Sequence, residues 1–125
     1  MRTIIAVLAA ATLWASPALA GDATKGAKVY KKCVSCHMIG DKAKNRVGPQ
    51  LNGIIGRQIA SIGDYKYSKA LVKYAEAEKT WREDNLAAYL ESPRKVVKGG
   101  RMAFAGLRKQ KDRDNVIAYL KQAAK

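Results

Sequence analysis

Residues 33–37 read CVSCH, and within Cys33-Val34-Ser35-Cys36-His37 lie both cysteines and the single histidine of a 125-residue chain. Whatever binds here takes two thiols and one imidazole from a single turn, and any further ligand must come from a different residue type. Working outward toward the start, residues 1–20 read MRTIIAVLAAATLWASPALA. Arg2 is a short positive head, Ile4–Trp14 an apolar stretch, and Ala18-Leu19-Ala20 a small-residue cleavage site, the pattern of a secretory signal peptide. Thr12, Ser16 and Pro17 interrupt the run, which is short for a membrane span of about 20 residues. The expected mature chain is residues 21–125, one domain, exported to the periplasm after cleavage behind Ala20. A chain of that length buries a modest core and gains much from a metal, a disulfide or a large cofactor.

The charge is lopsided. Without Arg2 the chain has 23 Lys and Arg against 10 Asp and Glu. Such a surface attracts acidic partners. Nucleic acid is the ordinary partner of a basic chain, but an exported protein meets little of it, so none is expected. Acidic protein surfaces fit better, with membrane contact at most peripheral.

Working outward in the other direction, helical periodicity predicts an all-α fold with three or four helices and long loops. Asp22 caps a helix through about Val34 with Ala23, Ala27, Tyr30 and Val34 on one face, Gly26 beside them. Met38–Gly63 is rich in Gly, Pro and Asn and reads as a long loop, which a compact domain tolerates when it wraps something. Ser68 caps a helix through about Ala77. Thr80 and Glu83 form a T-x-x-E capping box opening a helix to about Glu91, which Pro93 ends. Lys98–Arg108, containing GGRMAFAG, is irregular again. Asp112 opens the last helix, with Val116, Tyr119, Leu120 and Ala123 in register. These apolar faces are thin for a domain of this size, so something other than side chains fills its middle.

Four chemistries use a set like CVSCH. An exported thiol pair can form a disulfide. C-x-x-C is also a thioredoxin-like redox pair, but that motif sits in a βαβ unit, and no strand pattern appears here. Structural zinc takes four Cys or His ligands, and three exist. The fourth is a c-type haem, whose attachment signature is C-x-x-C-H. On a helical turn, positions i and i+3 share a face, so Cys33 and Cys36 can each form a thioether with one vinyl group of the same porphyrin. His37 then reaches the iron, and haem is the best reading of the motif. With no second histidine, the sixth ligand comes from elsewhere. Met38 is too close to His37 to cross the ring, whereas Met102 lies in the glycine-flanked loop; a Met ligand raises the potential. An open or lysine-bound sixth position is the competing reading, suited to ligand binding or peroxidase chemistry. A thiol oxidoreductase is a third class, distinguished by haem content.

Several stretches, in order, carry a resemblance: G-x-K-V-Y-K-K-C-V-S-C-H at 26–37, VGPQLNGIIGR at 47–57, Tyr65–Ser68, TW at 80–81, AAYLESP at 87–93, RMAFAG at 101–106 and IAYLK at 117–121. Together they cover essentially the whole mature chain, which resembles class I cytochrome c. The resemblance implies a small helical fold wrapped around one covalent haem c and a one-electron carrier, not an enzyme. It implies that Cys33 and Cys36 hold the haem, that His37 and Met102 ligate iron, and that Pro49 accepts a hydrogen bond from His37. It sets Arg57, Tyr67 and Trp81 around the haem propionates, Tyr89 at the Met sulfur and Phe104 as a shield on the Met side. Gly26, Tyr30, Val116 and Tyr119 match a crossing of first and last helices. A monomer is implied, docking acidic surfaces of a membrane donor (a cytochrome bc complex) and an acceptor such as a terminal oxidase through Lys31, Lys32, Lys95, Lys98, Arg46 and Arg101. The chain departs from mitochondrial members at Leu71, often Asn there, and at Lys98 and Gly100, usually Pro and Thr. Gly99-Gly100 adds backbone freedom, so the Met loop is expected to be mobile, with Lys95 or Lys98 displacing Met102 at raised pH.

Overall fold

The structure, a computed structural model, describes residues 21–125; the expected signal peptide lies outside the described residues. Five helices follow one another: α1 (Ala23–Tyr30), α2 (Lys69–Glu78), α3 (Glu83–Glu91), α4 (Pro93–Val96) and α5 (Gln110–Ala123). Among the described residues the only β feature is an isolated antiparallel bridge, Gln58 with Thr80, so the all-α expectation holds. No described helix is long and apolar enough to cross a membrane.

The helix starts show which local signals won. Asp22 caps α1, its carboxylate accepting from the Lys25 N–H at 3.1 Å, and Ser68 caps α2, its hydroxyl accepting from the Leu71 N–H at 3.1 Å. At α3 the expected Thr80–Glu83 box is not the one used. The helix starts at Glu83, and the Asn85 side-chain oxygen reaches back to the Arg82 N–H at 2.7 Å. Thr80 instead receives the Asn85 amide on its carbonyl at 2.9 Å. Pro93 does not merely end α3. Glu91 is the last residue of α3, and Pro93 opens the one-turn α4, a first-turn position where its missing N–H costs nothing. That turn is the helix the periodicity did not resolve. The last helix begins at Gln110, two residues before Asp112, which lies in its first turn and there favours the positive helix end.

α1 and α5, the two ends of the described chain, pack across one another. Gly26 makes the crossing possible: a Cβ there would sit 1.9 Å from the Asn115 carbonyl oxygen, so only glycine admits the backbone approach. Tyr30 packs on Tyr119 with ring centroids 5.3 Å apart. Asn115, only 6 % exposed, accepts the Asp22 N–H on its side chain at 2.8 Å and so ties the helices through a buried polar group whose cost is met. The buried face of α5 is Val116, Ile117 and Leu120 with Ala124 beyond the helix end, while Tyr119 is half-buried. Val34 is a correction: α1 stops at Tyr30, and Val34 lies 45 % exposed on the turn that follows.

Candidate functional site: the cavity at the CVSCH turn

Beyond Tyr30 the chain tightens into successive turns. Cys33 N–H donates to the Tyr30 carbonyl at 2.8 Å, Cys36 N–H to the Cys33 carbonyl at 3.1 Å and His37 N–H to the same carbonyl at 2.9 Å. These bonds set both thiols and the imidazole on one wall of a cavity of about 470 Å³, within the size range of a cofactor site. All ten residues expected at the site line it: Cys33, Cys36, His37, Pro49, Arg57, Tyr67, Trp81, Tyr89, Met102 and Phe104. Leu51, Ile54, Leu71, Leu86, Val97, Val116 and Leu120 supply apolar wall between them. The long loop between α1 and α2 brings Pro49, Arg57 and Tyr67; α3 brings Tyr89; the loop before α5 brings Met102 and Phe104.

The histidine is fixed twice. Its Nδ1 lies 2.7 Å from the Pro49 carbonyl oxygen. A carbonyl only accepts, so Nδ1 carries the proton and Nε2 keeps its lone pair. Burial pushes the imidazole below its ordinary pKa, the Pro49 bond opposes this and the Arg57 charge adds to it; the ring is a neutral base at physiological pH, the form that ligates a metal. Gly48 supplies the second constraint, since a Cβ there would fall 2.4 Å from His37 Cε1. Tyr30 also donates its hydroxyl to the His37 carbonyl at 3.1 Å. Cys33 and Cys36 are not joined to each other, and burial raises the Cys33 thiol pKa, with Cys36 adding to the rise and Lys32 opposing it. Elsewhere on the lining, the Tyr89 hydroxyl donates toward the Met102 sulfur at 3.8 Å.

Three residues of the lining keep spare donors once internal bonds are counted. Arg57 uses one nitrogen, Nη1, on the carbonyls of Gln50 (2.9 Å) and Asn52 (3.0 Å), leaving Nη2 and Nε. Tyr67 accepts the Ile62 N–H at 3.2 Å and retains its own O–H. The Trp81 indole N–H bonds to no described residue, and no buried side-chain donor or acceptor there is orphaned, so this N–H is not sealed off on a residue that lines the cavity. An apolar cavity with two thiols, one free imidazole nitrogen, one thioether and a set of spare donors fits a porphyrin carrying two carboxylates.

A protein-family comparison bears on the same residues. The cytochrome c family model matches residues 23–124. The chain belongs to the cytochrome c family. Among similar proteins is cytochrome c2 of Agrobacterium tumefaciens (strain II Chrys), 47 % identical over 100 residues, covering 80 % of this chain and 90 % of the relative. Cytochrome c-550 of Ancylobacter novellus is 45 % identical over 97 residues, 78 % of this chain and 91 % of that one. Among solved structures, cytochrome cH from Methylobacterium extorquens superposes with a TM-score of 0.73 at 38 % identity, covering 81 % of this chain and 98 % of its own. As a cytochrome c, the protein carries one covalently attached haem c and is an electron carrier rather than an enzyme.

Sequence reasoning missed Gly48 and Asn115 as individual constraints. Gly48 was legible only as part of a motif; its role depends on which ring lies against it. It also missed the two tethers that hold the loop, Tyr65 O–H to the Val47 carbonyl at 2.7 Å and the Asn45 amide to Asp64 at 3.0 Å. Of the six cations expected at the rim, Lys32 and Arg101 line the cavity, while Lys31, Arg46, Lys95 and Lys98 are exposed outside that lining. The described ion pairs involve Arg82, Arg113 and Lys121, and none of these six.

Proposed function

We propose that this cytochrome c is a periplasmic one-electron shuttle between membrane complexes, with Cys33 and Cys36 as the thioether residues and His37 and Met102 as the side chains that would ligate the haem iron. The observation that carries the reading is the pairing of two prepared donors on one cavity. His37 has Nδ1 committed to Pro49 and Nε2 free, and Met102 has its sulfur met by the Tyr89 hydroxyl. The haem supplies reversible Fe(III)/Fe(II) cycling, and the protein supplies attachment, ligands and a dry pocket. Pro49 fixes the imidazole plane and raises its basicity. The spare donors of Arg57, Tyr67 and Trp81 meet the two carboxylates, whose burial is otherwise costly. Phe104 and the aliphatic wall exclude water, which together with a thioether ligand raises the potential. Unpaired Lys31, Lys32, Arg46, Lys95, Lys98 and Arg101 form the basic surface that meets an acidic ring on a donor of the cytochrome bc class and an acceptor such as a terminal oxidase. The protein acts as a monomer, and residues 1–20 direct its export.

The test is a spectroelectrochemical titration of the purified mature protein with and without carbon monoxide. A reversible one-electron wave at clearly positive potential, unaffected by carbon monoxide, is expected. Ready carbon monoxide binding by the reduced form, or a negative potential, would remove Met102 as a firm ligand and give the lead to ligand sensing.

A further inference from the structure

Tyr89 and Trp81 line the cavity, and Tyr74 on α2 lies outside its lining. Their rings form a continuous series. Tyr89 and Trp81 have centroids 5.1 Å apart at 41°, and Trp81 and Tyr74 5.9 Å apart at 37°, both within aromatic contact. We propose that the Trp81–Tyr74 end of this series is a route by which oxidising equivalents generated by peroxide leave the cavity, and that Tyr74 is the surface site they modify. The proposal rests on the haem being seated in that cavity.

Electron tunnelling weakens steeply with gap, so a short step from the cavity to Trp81, which lines it, and a second to Tyr74 outrun one long one. Trp81, 6 % exposed, is suited to the middle position because an indole can lose an electron while keeping its N–H proton. A phenol cannot, because its radical cation is a strong acid, so it needs somewhere to send the proton. The Tyr74 hydroxyl bonds to no described residue and is not sealed from solvent, so water takes it. The other tyrosines are worse exits. Tyr67 lines the cavity, and its O–H is the one proposed to meet a carboxylate there, so a radical on it stays beside its source. Tyr30 and Tyr65 donate their hydroxyls to the carbonyls of His37 and Val47, which hold a proton without being bases strong enough to take it. Tyr119 stacks on Tyr30 and is reached through it.

The chemistry balances with hydrogen peroxide as the oxidant. Peroxide takes up two electrons and two protons, its O–O bond breaks and two waters form. Each electron comes from one Tyr74 phenol, which also releases its O–H proton. Phenoxyl radicals on two molecules then join through a ring carbon–carbon bond, the displaced ring hydrogens moving to the phenol oxygens. Two tyrosines and one peroxide thus give one dityrosine and two waters.

The experiment treats the haem-loaded protein with hydrogen peroxide, with and without a nitroso spin trap, and maps adducts by peptide mass spectrometry. Trap adducts at Tyr74 and a covalent dimer joined there are expected. Tyr74→Phe should lose the dimer and bleach its haem several-fold faster, with the spectrum and potential unchanged beforehand. Trp81→Phe should cut the Tyr74 adduct several-fold although Tyr74 is present. Adducts at Tyr30, Tyr65, Tyr67 or Tyr119 with Tyr74 unlabelled would overturn the route, as would a Tyr74 yield indifferent to Trp81→Phe. If Trp81→Phe does not take up haem, Tyr74→Phe decides alone: bleaching and dimer equal to the parent protein refute the proposal. A failure of the ligation reading would appear separately, in the potential and carbon monoxide response before any peroxide is added.

Discussion

At the scale of single residues, Tyr89 touches the Met102 sulfur with its hydroxyl. With Met102 on the iron, as proposed, a donor on that sulfur would withdraw electron density and disfavour the more highly charged ferric state. Tyr89→Phe removes the donor and keeps the ring, so the midpoint potential should fall while the apolar wall persists. An unchanged potential in the redox titration would mean the contact is idle. The phenol itself will not report by ionising in the usual range, because burial pushes its pKa up to about 12, with Tyr74 and Tyr65 adding to the rise. The CVSCH turn and Met102 were readable in the sequence because residue type and setting carry their chemistry, whereas Pro49, which offers only a backbone carbonyl, was legible through the resemblance alone. Gly48 was not, because its meaning lies in a 2.4 Å approach to a ring eleven positions earlier. Tyr65 was not, because a tyrosine in a loop does not announce which carbonyl it will find.

At the scale of elements, the α1–α5 crossing depends on a missing side chain. Gly26→Ala puts a Cβ where the Asn115 carbonyl oxygen lies, and backbone cannot step aside as a flexible side chain can. The helices must separate, and overpacking of this kind costs about 1–3 kcal/mol or more. A urea titration of the haem protein should show that loss; a wild-type midpoint would mean the helices slide without penalty. Between α2 and α3, Glu78 gathers the Arg82 guanidinium at 3.0 Å and the Asn85 amide at 3.3 Å. Those bonds, Arg82 first and then Asn85, hold its carboxyl below the ordinary glutamate value of 4.5. A depressed folded-state pKa gives stability that is full above the unfolded value and is lost as pH falls through the folded one. Glu78→Gln should therefore unfold at lower urea than the parent at neutral pH, and the gap should close on acidification. A gap that persists in acid would assign the effect to geometry rather than charge. Helix existence was legible from period and caps. Helix starts were less so at α3 and α5, because Asn85 outcompeted Thr80 for the cap and because Asp112 is equally at home inside the first turn. α4 escaped notice because one turn is too short to show a period.

At the scale of the whole molecule, the excess of cations is left largely unneutralised. Ion pairs among the described residues gather on α3 and its contacts with α2 and α5, and the basic residues expected at the rim are free of them. Encounters with an acidic partner should then slow as ionic strength rises, since exposed charges are screened beyond about 8 Å in physiological salt. Lys32→Glu, on the cavity lining, should slow electron transfer with a cytochrome bc-class donor more than Lys125→Glu, which is exposed but off that lining. Equal effects of the two variants in stopped-flow kinetics would reduce the interaction to net charge. The sequence count reveals the sign of this field; its distribution depends on which acids the fold has already consumed.

The meeting of α1 with α5 also orders events in time. A chain made from its amino end presents Cys33, Cys36 and His37 long before Val116 and Leu120, which close one wall of the same cavity. Until those last residues exist, the thiols stand on an open, half-built surface that a vinyl-bearing porphyrin can approach from the side. The Asp22–Asn115 bond, spanning 93 positions, forms only afterwards. The final helix therefore works as the last wall set in place, and a chain truncated before it would still offer its thiols but could not shut water out from what they had captured.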